Sequence, residues 1–256
     1  LESKLAEPPN VIDWEEEIIP YSFLEPTRNP SYQFSHKKNK FPKNFTDPKN
    51  VAIALHTFAN HELIAIEMMA QALLLFCNNQ KIDKNFRKSI VKTIQDEQKH
   101  FKLYVARLNE LGYEFGDFEL TGFLWKQMKF VMTPSQYYSV VAITFEGANL
   151  DFAYYYYKIF LELGDSKTAD ILLEVYFDEI THVAFGKSYL EKWRADKDLW
   201  NYYLENLPSP LTPSRAKGIE FNQIARIKAG LDHSFVESLE NYQDDFKVTF
   251  RKQWKK

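Results

Sequence analysis

Two copies of the pattern Asp-Glu-x-x-His constrain the fold of this chain more than any other feature of its sequence. They run from Asp96 to His100 and from Asp178 to His182, and each follows an isolated glutamate in helical sequence, Glu62 and Glu146. On an α-helix, a Glu and a His three residues apart lie on the same face. Two such pairs and two further carboxylates can surround two metal ions inside a four-helix bundle. The pattern therefore predicts a dimetal-carboxylate site.

Length and composition are compatible with a single, mostly helical domain around such a site. The chain has 256 residues, of which 45% are hydrophobic and 16% aromatic, and it contains eight glycines. Its one cysteine, Cys77, excludes an intramolecular disulfide and a CxxC-type site, so a metal must be held by oxygen and imidazole. We expect a reducing, cytoplasmic location. No apolar run reaches the roughly 20 residues that span a bilayer, so no membrane partner is expected.

Capping residues and helix breakers divide the centre of the chain into four long predicted helices. Each begins at an N-cap side chain, twice followed by proline, and each ends near a glycine, an asparagine pair or the last residue of the apolar pattern. The Thr133 cap is followed by a glutamine at the third helical position, as in a capping box. The predicted helices cover 48–77 after Asp47, 84–111 after Asp83, 134–164 after Thr133, and 166–193 after Asp165 or Ser166.

Loop lengths predict how these helices connect. The first two helices and the last two are each joined by a short loop, which favours two antiparallel hairpins. Residues 113–132 link the hairpins and can extend roughly 65 Å, more than the roughly 42 Å length of one long helix. The sequence therefore predicts an all-α four-helix bundle of two antiparallel hairpins with a long crossover, which resembles the ferritin-like topology.

The four glutamates lie near the middle of their predicted helices, so antiparallel neighbours hold them at one level. Their four negative charges balance two divalent ions, which makes a nearly neutral site in a low-dielectric core. Carboxylate and imidazole ligands suit iron or manganese, and we expect two Fe ions, with Mn as the alternative. The expected ligands are Glu97 and Glu179, bridging both ions, Glu62 with His100 on one ion, and Glu146 with His182 on the other.

Three residues near the ligands are expected to support the site. Asp96 and Asp178 lie one residue off the ligand face and are expected to orient the imidazoles; the alternative is that they are solvated helix charges. Tyr104 lies one turn after His100 and is expected to face the site. No residue is assigned a catalytic role beyond metal binding.

Other residues on the first and third helices are expected to have structural roles. His56 and His61 are interpreted as packing or surface residues, because His61 points about 100° away from its neighbour Glu62 around the helix; the alternative is that they bind metal. Glu67 and Asp151 each follow a ligand glutamate by five residues, about 140° from the ligand face. We expect them to form ion pairs rather than to bind metal, and their shared offset indicates an internal duplication.

Longer motifs around these residues resemble a bacterial ferritin-like family that has only a domain-of-unknown-function designation, number 455. The similarity extends over nearly the whole chain, and the ligand set at residues 47–194 is similar to the ferritin-like superfamily of diiron carboxylate proteins. The resemblance implies a fold, a metal site and a relationship to the tRNA hydroxylases of that superfamily, but no substrate. The motifs run from His61 to Glu67, from Asp96 to Phe101, from Gly116 to Phe118, from Asp178 to Gly186 and from Phe221 to Gly230.

The remaining sequence flanks the bundle. We expect residues 1–46 to form an extended N-terminal arm, residues 47–194 the bundle, and residues 195–256 a helical extension that packs on it. The extension is predicted to contain a helix from Ser214 to Ile227 and a short helix starting at Asp232 or Ser234. Basic residues occur at 36–43 and 251–256, and both solvated surface and an RNA-binding role remain open for them.

The predicted function is an oxidoreductase that activates O₂ at two metals to oxidise or hydroxylate an unidentified substrate. The alternatives are a ferroxidase or iron-storage protein, a peroxide-detoxifying protein, and a non-enzymatic metal-binding module. The long segments outside the bundle argue against storage, and missing rubredoxin-type cysteines argue against an electron-transferring peroxidase. Expected partners are a small-molecule or tRNA-like substrate and an external electron donor, and the expected state is a monomer or small homo-oligomer.

Overall fold

A computed structural model of the chain describes residues 1–7, 25–35, 37 and 40–244. These residues form helices and connecting segments without a β-strand, which confirms the all-α prediction and is consistent with a ferritin-like bundle. They divide into two compact units, the first from Leu1–Lys129 and Ile159–Ile171, the second from Phe130–Lys158 and Leu172–Lys256. None of the described helices has the length and apolar composition needed to cross a membrane.

The helices follow the predicted order along the chain. The α-helices are α1 (Pro48–Leu75), α2 (Lys84–Glu110), α3 (Phe123–Gln127), α4 (Pro134–Tyr138), α5 (Gly147–Glu162), α6 (Ser166–Trp193), α7 (Leu199–Asn206), α8 (Gln223–Lys228) and α9 (His233–Asn241). A π-helical segment, Ser139–Glu146, joins α4 to α5. Short 3₁₀ turns occur at Glu2–Lys4, Pro30–Tyr32, Met128–Phe130 and Pro213–Ala216.

The predicted N-caps start these helices. Asp47 accepts a hydrogen bond from the backbone N–H of the second residue of α1, and Asp83 and Thr133 accept from the third residues of α2 and α4. Asp165 accepts the N–H of Thr168 at 3.1 Å and so caps α6. Each cap satisfies a backbone donor that has no partner within the helix. The caps fix where the ligand-bearing helices begin.

In the first unit, α1 packs against α2, and the crossover contributes α3. The buried face of α1 includes Leu55, Ile66 and Met69, each at most 4% exposed. The described N-terminal residues contact these helices: the side-chain amide of Gln98 on α2 donates to the carbonyl oxygen of Lys4 at 2.8 Å. The N-terminal segment is thus attached to α2 beside one of the predicted ligands.

In the second unit, the helix from α4 through α5 runs antiparallel to α6. The ring of Tyr138 stacks on Tyr189 at 5.3 Å between centroids, and further along Tyr154 meets Tyr176 at 5.0 Å. The residue numbers of the contacting side chains therefore rise along one helix as they fall along the other, as expected for the predicted antiparallel hairpin. The two helices approach closely at Gly186, where an added β-carbon would lie 2.2 Å from that of Ala142.

The prediction of a regular third helix was wrong for eight residues, because Ser139–Glu146 are π-helical. The hydroxyl of Thr144 donates to the carbonyl of Ser139, five residues earlier, at 2.7 Å. Since that proton is used, Thr144 accepts the hydroxyl of Tyr203 on α7, 2.8 Å away. Burial raises the pKa of Tyr203 well above its usual value, so its hydroxyl keeps the proton that it donates. A side chain from outside the bundle thus braces the π-helical segment.

The predicted helix from Ser214 to Ile227 was also wrong, except in its last part, which is α8. A 3₁₀ turn covers Pro213–Ala216, and α8 begins only after its N-cap, Asn222. The carboxylate of Asp151 accepts the N–H groups of Gly218 at 2.8 Å and Asn222 at 2.7 Å, so these donors do not form helical hydrogen bonds. The last short helix, α9, begins after Asp232 as predicted.

Candidate metal centre

Three predicted ligands lie on α1 and α2 in the first unit. Glu62 is 3% exposed, Glu97 1% and His100 0%, and all three stand near the middle of their helices. The Nδ1 atom of His100 is 3.2 Å from Oε2 of Glu97, as expected for side chains three residues apart on one helical face. The apolar faces of α1 and α2 therefore enclose a carboxylate and imidazole cluster.

The other three predicted ligands lie in the second unit, in an equivalent arrangement. Glu146 is the last residue of the π-helical segment, and Glu179 and His182 lie on α6; their exposed fractions are 6%, 1% and 2%. The Nδ1 atom of His182 is 3.4 Å from Oε2 of Glu179. The other oxygen of Glu179, Oε1, accepts a hydrogen bond from the side-chain amide of Asn149 at 3.0 Å.

The six predicted ligands form two groups of four buried side chains, and each group could hold a metal ion. Within a group, one potential ligand atom from each residue lies within 4.8 Å of the others. Glu97 and Glu179 belong to both groups. One group is Glu62, Glu97, His100 and Glu179, and the other is Glu97, Glu146, Glu179 and His182.

The chemistry of these groups fits a bound cation. Ionised carboxylates brought this close repel one another, and in a buried site a cation or a shared proton must offset the repulsion. Two ligand atoms at right angles, each about 2.1 Å from a metal, are about 3 Å apart. The spacings of 3.2 Å at His100 and 3.4 Å at His182 agree with this value. The glutamate and histidine of each pair are therefore already spaced as two ligands of one ion would be.

Of the three residues predicted to support the ligands, Asp96 and Asp178 lie outside both groups. Asp96 pairs with Lys92 one turn away at 2.5 Å, with 17% of its side chain exposed. Asp178 is half-buried, and Tyr104 is 2% exposed with its ring 5.6 Å from that of Phe58. Their roles in orienting the imidazoles or facing the metals stay predictions.

The two histidines of α1 are also absent from the ligand groups. The Nε2 atom of His56 accepts the backbone N–H of Gly116 at 3.0 Å, and its ring stacks on Phe115 at 5.1 Å, which confirms the packing role. Burial lowers the pKa of His56 to about 4, against a smaller opposing effect of Asp117. Burial likewise lowers the pKa of the half-buried His61 to about 4.

The prediction of ion pairs at Glu67 and Asp151 is confirmed. A nitrogen of Arg28 lies 2.6 Å from the carboxylate of Glu67, and a nitrogen of Arg226 lies 2.6 Å from that of Asp151. All four side chains are buried. The sequence offset identified the two carboxylates, but it gave no signal for their arginine partners, which are distant in the chain.

Sequence reasoning missed Asn149 and the π-helical segment. Asn149 contacts a ligand, but one asparagine three residues after a glutamate has no recognisable motif. The basic segments remain largely outside the described residues, including His36, Lys38 and all of 251–256. In the described part, Lys37 lies 3.6 Å from Glu119. The RNA-binding prediction is therefore untested.

Comparison with known proteins identifies a relative and a family. A protein of Haemophilus influenzae (strain ATCC 51907 / DSM 11121 / KW20 / Rd), named "Uncharacterized protein", is 27% identical over 151 residues, which cover 56% of this chain and 52% of the relative. The chain thus spans about half the length of that relative. No solved structure matches. A family model described as "Protein of unknown function (DUF455)" matches residues 4–237, and the chain therefore belongs to that family.

Proposed function

We propose that the six buried ligands form one dimetal carboxylate centre, that its metals are iron, and that the protein uses it to activate O₂ and oxidise or hydroxylate a substrate. The observation that carries this proposal is the pair of four-residue groups that share Glu97 and Glu179. A carboxylate with one oxygen near each of two ions is the ordinary bridge between metals in four-helix proteins of this kind.

In the proposed centre, each ion has one imidazole and one carboxylate of its own. Glu62 and His100 would hold one ion, and Glu146 and His182 would hold the other. Glu97 and Glu179 would complete both sets. Four carboxylates then balance two divalent ions, so the site is nearly neutral in its buried surroundings. Oxygen and imidazole ligands suit iron, which unlike zinc can change oxidation state.

Bound iron would supply the redox chemistry, and an external electron donor would restore its reduced form. The protein's own contribution is to hold the ligands in place and to exclude water. All six ligands are at most 6% exposed, and Leu55, Leu63 and Ile66 on α1 are buried with them. The side-chain amide of Asn149 donates a hydrogen bond to one oxygen of Glu179 and so restricts the rotation of this carboxylate.

Oxygen consumption tests the proposal. Protein reconstituted with Fe(II) without oxygen is mixed with O₂ and a chemical reductant, and uptake is followed with an electrode. Uptake should depend on iron and fall about tenfold or more in Glu179→Gln, because the amide cannot replace a bridging carboxylate. Glu174→Gln is the matched control, because Glu174 is an exposed glutamate on the same helix. Equal uptake by the two variants would contradict the proposal.

Other outcomes would replace the proposed activity with another. Rapid loss of H₂O₂ in the absence of reductant would indicate a peroxide-removing protein. A very large particle that accumulates iron far beyond two ions per chain would indicate storage. Stable metal binding with no reaction towards O₂ or H₂O₂ would indicate a non-enzymatic metal-binding module. Each result would overturn the oxidase proposal while leaving the metal site intact.

A further inference from the structure

In the first unit, a buried arginine binds α1 on the side away from the candidate metal ligands. Arg28 is 7% exposed, and its guanidinium donates from Nε to one oxygen of Glu67 at 2.9 Å and from Nη2 to the other at 2.6 Å. The guanidinium also lies 4.1 Å from the centre of the Phe34 ring. These contacts fix the position and the plane of the arginine at once.

In the second unit, another arginine holds a carboxylate of α5 in a similar way. Arg226 is 0% exposed and donates from Nη1 to one oxygen of Asp151 at 2.6 Å and from Nη2 to the other at 2.9 Å. Its guanidinium lies 3.9 Å from the centre of the Phe221 ring. Each unit therefore contains a buried arginine that holds a carboxylate with two hydrogen bonds and stacks on a phenylalanine.

The two arginines occupy equivalent places relative to the predicted ligands. Glu67 follows Glu62 by five residues, and Asp151 follows Glu146 by five residues, about 7.5 Å along the helix axis. Both arginines come from chain outside the four long helices. They are thus attached to the ligand-bearing helix from outside, one in each unit.

Each arginine also contacts the immediate neighbourhood of a ligand. Arg226 donates to the carbonyl oxygen of Gly147, the residue after Glu146, at 3.0 Å. Arg28 lies 3.4 Å from the side-chain oxygen of Asn60, two residues before Glu62. A shift or rotation of either helix would therefore break several bonds of one arginine together.

Stability alone is a weak reason for such pairs, because removing two charges from water offsets much of their attraction. A guanidinium that donates two hydrogen bonds to one carboxylate does, however, restrict the rotation and the axial position of the helix that carries this carboxylate. We propose that Arg28 and Arg226 are positioning residues that hold Glu62 and Glu146, respectively, at the distance required by their metals. This role rests on the proposed dimetal centre, and it means that the affinity for each ion depends on a different arginine.

The surroundings predict that the two arginines differ in importance. Glu67 also pairs with Lys4 at 2.5 Å, so a cation remains beside it when Arg28 is replaced. The other named bonds of Asp151 come from the backbone N–H groups of Gly218 and Asn222. Substitution of Arg226 should therefore perturb its metal more than substitution of Arg28 perturbs the other.

Titration of the metal-free full-length protein with Co(II) under nitrogen tests this role, with visible absorption and equilibrium dialysis reporting each ion bound. The wild-type protein should bind two ions. Arg226→Gln should weaken one of them by about 10- to 100-fold and leave the other near its wild-type affinity. Arg28→Gln should weaken one ion by a smaller factor, and Arg226→Lys should restore part of the lost affinity.

Two further variants separate positioning from general stability. Leu239→Ala removes a side chain that is 1% exposed on α9 and should destabilise the protein without changing Co(II) affinity. Arg226→Leu combined with Asp151→Leu leaves no unpaired buried charge, so it should fold. It should bind one Co(II) ion weakly and the other with near wild-type affinity. The double variant decides the matter if Arg226→Gln does not fold.

The outcomes distinguish this inference from the proposal on which it rests. Wild-type protein that binds fewer than two Co(II) ions would refute the dimetal centre and the positioning role with it. Two ions in the wild type and unchanged affinities in the folded Arg226 variants would refute the positioning role alone. An equal loss of affinity in Leu239→Ala would also refute it, because general destabilisation would then explain the effect.

Discussion

The buried imidazole of His56 should make the stability of the protein depend on pH in a specific range. His56 is 1% exposed, and its Nε2 atom accepts the N–H of Gly116 at 3.0 Å, so the folded protein requires the neutral ring. Protonation would remove this acceptor and place a charge beside Phe115 and Phe118, whose rings lie 5.1 Å and 5.3 Å away. The perturbation is acidification, compared between wild type and His56→Gln.

The expected magnitude follows from the pKa values of the two states. The folded-state pKa of His56 is lowered to about 4 from an ordinary value of 6.5. As the pH falls below 6.5 the unfolded chain binds a proton that the folded protein does not, so acid favours unfolding. The contribution is therefore fully present above pH 6.5 and is lost as the pH falls towards 4. Between pH 7.5 and 4.5 the loss is about 2.5 kcal/mol.

Urea unfolding at several pH values measures this effect. The variant His56→Gln keeps an acceptor for the Gly116 N–H, in its amide oxygen, but cannot titrate. Both proteins are kept metal-free with a chelator, so that titration of the predicted ligands contributes equally to each. The difference in unfolding free energy, wild type minus variant, should fall by about 2.5 kcal/mol from pH 7.5 to 4.5. With a typical urea dependence, this shifts the midpoint difference by about 1 M.

A pH-independent difference would refute the reasoning, because it would mean that His56 titrates alike in the folded and unfolded states. A difference that grows as the pH falls would also refute it, since the sign requires the wild type to lose more stability in acid. If the difference in unfolding free energy is the same at every pH, the substitution affects stability through packing alone.

Three further predictions concern the second unit. Gly186→Ala places a β-carbon 2.2 Å from that of Ala142 and should lower the unfolding free energy by about 1–3 kcal/mol, as measured by urea. Tyr203→Phe removes a fully buried hydroxyl bonded to the π-helical segment and should cost about 1 kcal/mol in the same assay. Asn149→Leu removes the donor to Glu179 and should weaken Co(II) binding by about 10- to 100-fold. An unchanged value in any of these assays would contradict the importance of that contact.

The long helices and the ligand candidates could be predicted because the responsible signals are local. Asp47 and Asp83 cap helices through residues two and three positions away, and such short-range bonds are visible in sequence. A Glu and a His three residues apart face the same side of any α-helix. The structure buries Glu97 with His100 and Glu179 with His182, as this spacing requires.

The features that sequence reasoning missed depend on residues far apart in the chain. The π-helical segment is braced by Tyr203, which lies on α7 well beyond the helix that it contacts. The same holds for Asp151, whose position indicated an ion pair but not that Arg226 would provide it. The N–H groups of Gly218 and Asn222 donate to Asp151, which also explains why the helix predicted from Ser214 is interrupted. Local patterns contain no information about such partners.

The metal content of the protein tests the central claim most directly. Wild-type protein is reconstituted with Fe(II) without oxygen, freed of loose metal and analysed for iron per chain, beside Glu174→Gln and a variant that combines Glu97→Ala with Glu179→Ala. The dimetal centre predicts two ions per chain in the wild type and in Glu174→Gln. It predicts almost none in the double variant, because both groups lose two of their four ligands. Wild-type protein without bound metal, or a double variant that still binds two ions, would contradict it.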